Sequence, residues 1–297
     1  MIEIVFGIDS KYVKYCAVTA ASILSNHKNT DSANKIKFYF LSPQYGAISQ
    51  ADKENLLKLR EIQDFDYEFI NIAGEEYAGL PQGSKITLAA YNRLLIPELL
   101  PPDVAKALYL DSDIIAAGDI QSLWDFDVEN YLLGAVRDYS RKNQDKDYYN
   151  SGVLLLNLKA LREFGFYERW KKFVKELDDP SSLTFFDQDI LNAVTKGKVL
   201  LLPKEYNALP CYAAGNVKNV VIAHFPGFKP WDAFCIHPMR ELYWRYAGKT
   251  AWKIKKQSVS AYLFNFIKKQ PLFFIKPKYW KLAYGLVRDK IRVAKKN

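Results

Sequence analysis

Ala107-Leu108-Tyr109-Leu110-Asp111-Ser112-Asp113 sets four apolar or aromatic residues directly before two aspartates that are one residue apart. A short run without a polar face reads as a buried strand of a parallel sheet. In open α/β sheets ligands bind outside the carboxyl ends of the strands, so the aspartates stand where a site is expected. Upstream, Ile2–Ile8 (IEIVFGI) is a β-branched run of the same kind. The spacing of Val13, Ala17, Ala20, Ala21 and Leu24 predicts a helix over residues 12–26. Lys35–Leu41 and Tyr67–Ile72 read as strands, Ser49–Ile62 as a helix, and Leu88–Leu100 as a helix ended by Pro101 and Pro102. Strands alternating with helices at this pitch predict a parallel, doubly wound sheet. The second half is more mixed, with strands over Leu132–Val136, Gly152–Leu158, Val199–Leu202 and Val220–Ala223. Helices are expected there over Phe166–Leu177 and Asp187–Thr195.

The 297 residues are 49% hydrophobic, enough for a packed core and inconsistent with a disordered chain. No basic leader with a small-residue cleavage site opens the chain, and no apolar stretch reaches the roughly 18 residues of a membrane-spanning helix. The expected compartment is therefore the cytoplasm. Cys16, Cys211 and Cys235 match no metal or disulfide spacing and are expected as buried thiols. The net charge of +9 is unevenly spread: residues 249–297 carry 14 Lys or Arg and one acid, Asp289, for +13, which leaves −4 on residues 1–248. Body (1–248) and tail (249–297) are thus expected to do different jobs.

Four polar constellations invite chemistry. Carboxylate oxygens suit Mg²⁺ or Mn²⁺, and a metal on Asp111 and Asp113 would bridge a diphosphate and neutralise it as it leaves. A pair of solvated turn aspartates fits the same residues. His224-Phe225-Pro226-Gly227-Phe228-Lys229-Pro230-Trp231 follows the last expected strand. It joins a metal-ligand type, a glycine open to close backbone approach and a compact cation suited to phosphate. A strand-end histidine with an aromatic turn explains it as well. Phe186-Asp187-Gln188-Asp189 opens a helix, with Asp187 either an N-cap or, beside Gln188, a holder of sugar hydroxyls. Asn150-Ser151-Gly152 stands at the mouth of a strand, as part of a site or as a polar turn.

Taken together these elements resemble the family 8 glycosyltransferases, the group of bacterial lipopolysaccharide galactosyl- and glucosyltransferases and glycogenin. The resemblance runs from Ile4 to about Trp231. It covers V-F-G-I-D, Tyr91-Asn92-Arg93, Y-L-D-S-D, Asn150-Ser151-Gly152-Val153-Leu154, D-Q-D-I-L-N and H-F-x-G-x-K-P-W in that order. It implies a GT-A type, Rossmann-like fold with a mixed, mainly parallel sheet. It also implies a retaining hexosyltransferase that uses a UDP-sugar donor and a glycan acceptor. On that likeness Asp111, Asp113 and His224 hold Mn²⁺. Gly7, Ile8, Asp9 and Tyr12 receive the nucleotide, and Ser112 lies at the ribose. Gly227 and Lys229 hold the diphosphate. Arg93, Asp138, Asn150, Ser151, Asp187 and Gln188 surround the donor sugar, with Asp187 and Gln188 nearest the reacting carbon. Two departures stand out: Lys11 replaces a residue that relatives often keep small and polar, and one residue, where many relatives have two, separates Gly227 from Lys229.

In the tail, Trp280, Ala283, Tyr284, Val287 and Ile291 share one helical face, with Lys281, Arg288, Arg292 and Lys295 on a flank. This composition predicts an interfacial helix on an anionic membrane and places the enzyme peripherally at the inner leaflet. Docking of the same face on the body is the competing reading. Bases interleaved with aromatics also occur in nucleic-acid binders, but no accompanying motif supports such a partner. Two rivals of another class are weighed: a nucleotidyltransferase, which would carry a Gly-rich loop where Phe6-Gly7-Ile8-Asp9 stands, and a non-catalytic sugar-nucleotide or membrane-binding protein, which would be expected to have lost one of Asp111, Asp113 and His224.

Overall fold

The computed structural model describes residues 1–28, 34–80, 88–139, 146–179, 182–210, 217–235 and 237–258. Within them lie strands β1 (Ile2–Gly7), β2 (Ile36–Pro43), β3 (Asp66–Ile72), β4 (Lys106–Leu110), β5 (Ile114–Ala116), β6 (Leu133–Arg137), β7 (Tyr149–Asn157), β8 (Val199–Leu202) and β9 (Ile222–His224). The helices are α1 (Val13–Asn26), α2 (Gln50–Leu57), α3 (Asn92–Leu99), α4 (Gln121–Trp124), α5 (Leu158–Glu163), α6 (Phe166–Lys175), α7 (Asp187–Val194) and α8 (Arg240–Ala247).

Seven strands form one sheet in the order β3-β2-β1-β4-β7-β6-β8, and β5 pairs with β9 in a small second sheet. The first half is parallel, as its strand–helix alternation predicts: β1 pairs in parallel with β2 and β4, and β2 with β3. In the second half β6 and β8 pair in parallel while β7 runs antiparallel to both β4 and β6, so the sheet is mixed and mainly parallel, as the family resemblance implies. The chain returns from Arg137 to Tyr149 without the dozen or more residues that a crossover between parallel strands takes, so β6 and β7 pair head to tail.

Alternation along the strands builds two cores, one on each sheet face. Ile2, Ile4 and Phe6 of β1 join Phe38, Leu108 and Val153 in one cluster, against α1 and α8. Val5 turns the other way, with Tyr39, Tyr109 and Leu154, against α3, α5, α6 and α7. These residues are fully or almost fully buried, each apolar side chain contributing about 1.5–3 kcal/mol.

Three sequence boundaries shift in ways that matter for the site. β7 begins at Tyr149, so Asn150, Ser151 and Gly152 lie inside the strand rather than at its mouth. β9 ends on His224 itself, paired with Ile114. Phe186, not Asp187, occupies the N-cap position of α7, at φ 48° and ψ −109° without a side-chain cap. The carboxylate that turns back on the preceding backbone is that of Asp189, which accepts from Phe185 N–H at 2.6 Å. Past Gly248, where the body was expected to end, Trp252 and Ile254 pack on the first core and Gln257 N–H donates to the Trp231 carbonyl. The expected tail helix, with Trp280, Ala283, Tyr284, Val287 and Ile291 on one face, lies outside the described residues. Among the described residues, no helix is long and apolar enough to cross a membrane. Cys16 and Cys235 are free and buried, and Cys211 also falls outside the described residues.

Candidate active site

β4 ends on Leu110, and the turn Asp111-Ser112-Asp113 passes straight into β5. Because β5 pairs with β9, His224 is brought beside Asp113, and Phe225 N–H donates to the Asp113 carbonyl at 3.0 Å. His224 Nε2 lies 3.4 Å from Asp113 Oδ1 and 3.8 Å from Asp111 Oδ2. One ligand atom from each of the three residues falls within 4.8 Å of the others, a spacing that one divalent cation spans. Two carboxylates and an imidazole fit Mn²⁺ or Mg²⁺ by donor type.

Opposite sides of the fold hold the two carboxylates. Arg93, projecting from α3, donates from Nη2 to Asp111 Oδ1 at 2.7 Å, and Tyr109 Oη donates to the same oxygen at 2.8 Å. Lys229 donates to Asp113 Oδ2 and, at 3.2 Å, to the Phe225 carbonyl. Burial opposes ionisation of Asp113, but Lys229 and His224 outweigh it and hold the carboxyl well below the usual carboxylate range. Burial likewise disfavours the Arg93 charge, and Asp111 and Asp187 reverse that and keep it protonated. Asp187 has the opposite balance: burial pushes its carboxyl up to about 6 even though Arg93 Nε lies 3.2 Å from Oδ2.

Directly above the metal-type cluster, β7 passes so closely that only glycine fits. A Cβ on Gly152 would lie 2.3 Å from His224 Cε1 and 2.9 Å from Asp111 Oδ2. Just before it in the strand, Asn150 and Ser151 meet α7. Ser151 N–H donates to Gln188 Oε1 at 3.0 Å, Ser151 Oγ to Asp187 Oδ2 at 3.2 Å, and Gln188 Nε2 to Asp138 Oδ2 at 3.1 Å.

These groups line a cavity of about 840 Å³, whose walls also include Gly7, Tyr12, Gly227 and Lys229. Fourteen of the sixteen expected residues line this cavity, all but Ile8 and Asp9, with Gly227 at φ +86°. Ile8 is fully buried in the core, and Asp9 is buried with its Oδ1 accepting from Lys11 and Tyr12 N–H at 2.9 Å each. Tyr12 packs edge-on against Tyr15, which stacks on Trp231 at 3.5 Å and 4°.

Sequence reasoning passed over Asn207, which ends a 3₁₀ turn (Lys204–Asn207) and is fully buried. It also missed the phenol of Tyr109, hidden within the apolar run, and the strained Phe186. A buried amide next to a histidine leaves no local signature, because the two are far apart in the chain.

The model of the family described as "Glycosyl transferase family 8" matches residues 3–235. General stress protein A of Bacillus subtilis is 28% identical over 85% of this chain and 95% of its own length. A lipopolysaccharide 1,2-glucosyltransferase of Escherichia coli K12 is 25% identical over 85% of this chain and 79% of its own. The crystal structure of the galactosyltransferase LgtC in complex with donor and acceptor sugar analogues superposes with a TM-score of 0.75 at 28% identity, over 84% of this chain and 97% of that one.

Proposed function

The chain belongs to glycosyl transferase family 8, and from that premise we propose that it is a retaining hexosyltransferase carrying galactose or glucose from a UDP-sugar to a glycan acceptor. The observation that carries this reading is the Asp111–Asp113–His224 cluster in the wall of a cavity that Arg93 and Lys229 also line. Mn²⁺, or Mg²⁺ in its place, is the ion these three residues would hold, and it supplies positive charge to the diphosphate of the donor.

The chain's own groups divide the remaining work. Lys229 brings a point charge to the diphosphate, and Gly227, without a side chain, lets the backbone approach it. Gly7, Asp9 and Tyr12, with the backbone at Ile8, form the nucleotide end, and Ser112 stands at the ribose. Arg93, Asp138, Asn150, Ser151, Asp187 and Gln188 form the sugar end. For retention we favour attack on the face the diphosphate leaves, with the departing oxygen taking the acceptor proton. Gln188 Oε1 already accepts from Ser151 N–H and Asn150 Nδ2, and Asp187 Oδ2 is engaged by Arg93 and Ser151, which supports this route over a covalent sugar–protein bond.

Lipopolysaccharide or another cell-surface polysaccharide is the proposed acceptor class, supported by the glucosyl- and galactosyltransferases of lipopolysaccharide among the similar proteins. The net charge of +13 over residues 249–297 supports a peripheral position on the anionic inner leaflet, next to a lipid-linked acceptor. The deciding experiment is donor hydrolysis with a panel of UDP-sugars and Mn²⁺, with EDTA and Asp113→Ala as controls. Mn²⁺-dependent UDP release from one donor, lost in both controls, is expected. No release from any donor and no UDP binding by calorimetry would sink the proposal.

A further inference from the structure

His224 can hold a cation beside Asp111 and Asp113 only if the ring nitrogen that faces them offers a lone pair, and the protein contains a chain of amides that decides which nitrogen does so. Gly152 N–H, a donor under all conditions, reaches Asn150 Oδ1 at 3.0 Å. That contact fixes which end of the Asn150 amide is oxygen. Asn207 must therefore turn its NH₂ to that same oxygen, and Nδ2 does so at 2.8 Å. The Asn207 carbonyl is left facing His224 Nδ1 at 2.9 Å, where it can only accept. In the neutral ring the proton thus sits on Nδ1, and the lone pair sits on Nε2, the nitrogen that looks at Asp111 and Asp113.

A second backbone donor secures the far end. Ser151 N–H bonds to Gln188 Oε1 at 3.0 Å, and Asn150 Nδ2 bonds to the same oxygen at 3.2 Å. The amides are thus oriented by two peptide N–H groups of β7, without any freedom left to flip. His224, Asn207, Asn150 and Gln188 are all at least nine-tenths buried, so water does not compete for these partners.

We propose that Asn207 is a positioning residue that sets the tautomer and aim of His224, presenting its Nε2 lone pair between Asp111 and Asp113. The proposal rests on the metal-holding reading of that cluster. Outer partners of a ligating imidazole fix its ring and tautomer, and their loss costs about 10- to 100-fold in metal affinity. Asn207 also joins the ligand to the sugar wall, since the same amide chain ends on Gln188 and its partner Asp138.

Two measurements test this. In metal-free, ¹⁵N-labelled protein near pH 8, above the usual histidine range, two-bond ¹⁵N–¹H correlations read the tautomer of each of the three histidines. His224 is expected as Nδ1–H. His237 is an internal contrast, because its Nδ1 accepts from Met239 N–H at 3.1 Å, which makes it Nε2–H. Calorimetric titration of Mn²⁺ in the presence of UDP should then show Asn207→Leu weakened about 10- to 100-fold. Asn207→Asp restores an acceptor for Nδ1–H while setting a carboxylate against Asn150 Oδ1. It should bind Mn²⁺ more tightly than Asn207→Leu even though it unfolds at a lower temperature, a reversal that a merely structural residue would not give. An Nε2–H tautomer for His224 in the parent, or an Asn207→Leu affinity within twofold of it, would overturn the proposal. An Nδ1–H tautomer in a parent that takes up no Mn²⁺ would overturn the metal site and with it the role of Asn207 there.

Discussion

Replacing Gly152 by alanine should disable the site without unfolding the protein. The added methyl would arrive 2.3 Å from His224 Cε1, 2.9 Å from His224 Nδ1 and 2.9 Å from Asp111 Oδ2, whereas ordinary van der Waals contact begins at 3.4 Å. Relief requires the imidazole to retreat by about 1 Å, since atoms closer than contact repel steeply. The strand cannot yield instead, because Asp111 N–H is bonded to the Gly152 carbonyl at 2.9 Å and Leu110 pairs with Val153, so moving β7 drags the aspartates along. Overpacking of this size costs about 1–3 kcal/mol of stability, and a misplacement of about 1 Å at a reacting centre costs roughly 100-fold in turnover. Three readings are needed: Mn²⁺-dependent UDP release, Mn²⁺ affinity by calorimetry, and the thermal unfolding transition. The control is Gly118→Ala, whose methyl would meet Val221 Cα at an unstrained 3.7 Å and should leave all three close to the parent. Release and affinity within about threefold of the parent in Gly152→Ala would refute the claim that β7 and the ligands are in obligatory contact.

Three further expectations follow from the same geometry. Lys229→Met removes the cation paired with Asp113 and should lower UDP release by about 10²–10³-fold with the fold retained; a loss under fivefold would remove Lys229 from the diphosphate. Burial lowers the His237 pKa from 6.5 to about 4, so the folded state binds fewer protons than the unfolded one between those values. Stability is therefore complete above 6.5 and falls as pH drops toward 4, by about 2 kcal/mol between pH 7 and 5 from this group; urea titrations of the parent and His237→Phe at both pH values check it, and an equal decline in the two would refute it. A chain ending at Ser258 should keep its thermal transition and its UDP release but cease to pellet with anionic vesicles, while one ending at Gly248 should also lose about 2 kcal/mol, because Trp252 and Ile254 pack on the first core. Unchanged pelleting of the 1–258 chain would remove the tail from the membrane.

Much of this architecture was legible in local pattern. β1, α1 and β2 announce themselves because alternation and helical spacing are properties of neighbours in the chain, and the D-x-D turn shows where β4 ends. The reversal of β7 did not show, since a strand buried on both faces is equally hydrophobic whichever way it runs. His224 was found from its flanking glycine and lysine, but Asn207 was not, because a buried amide owes its role to partners distant in sequence. For Asp187 local pattern left a cap and a place in the site both open, because its contacts run across the fold to Arg93 and Ser151 while Asp189 serves the backbone.

The cations on the two aspartates come from elements of different cores, Arg93 from α3, whose Leu94 and Leu95 lie in the second, and Lys229 from the segment after β9, whose Ala223 lies in the first. The pair of carboxylates therefore acts as a rivet through the sheet, and neither half of the chain could inherit it by itself. A fragment ending near residue 139 would retain Asp111, Asp113 and Arg93 yet lack His224, Lys229 and the β7 backbone that crosses them. Metal uptake is thus a readout of reassembly: two complementary fragments should be silent apart and regain the ion only when both faces close on the central strands.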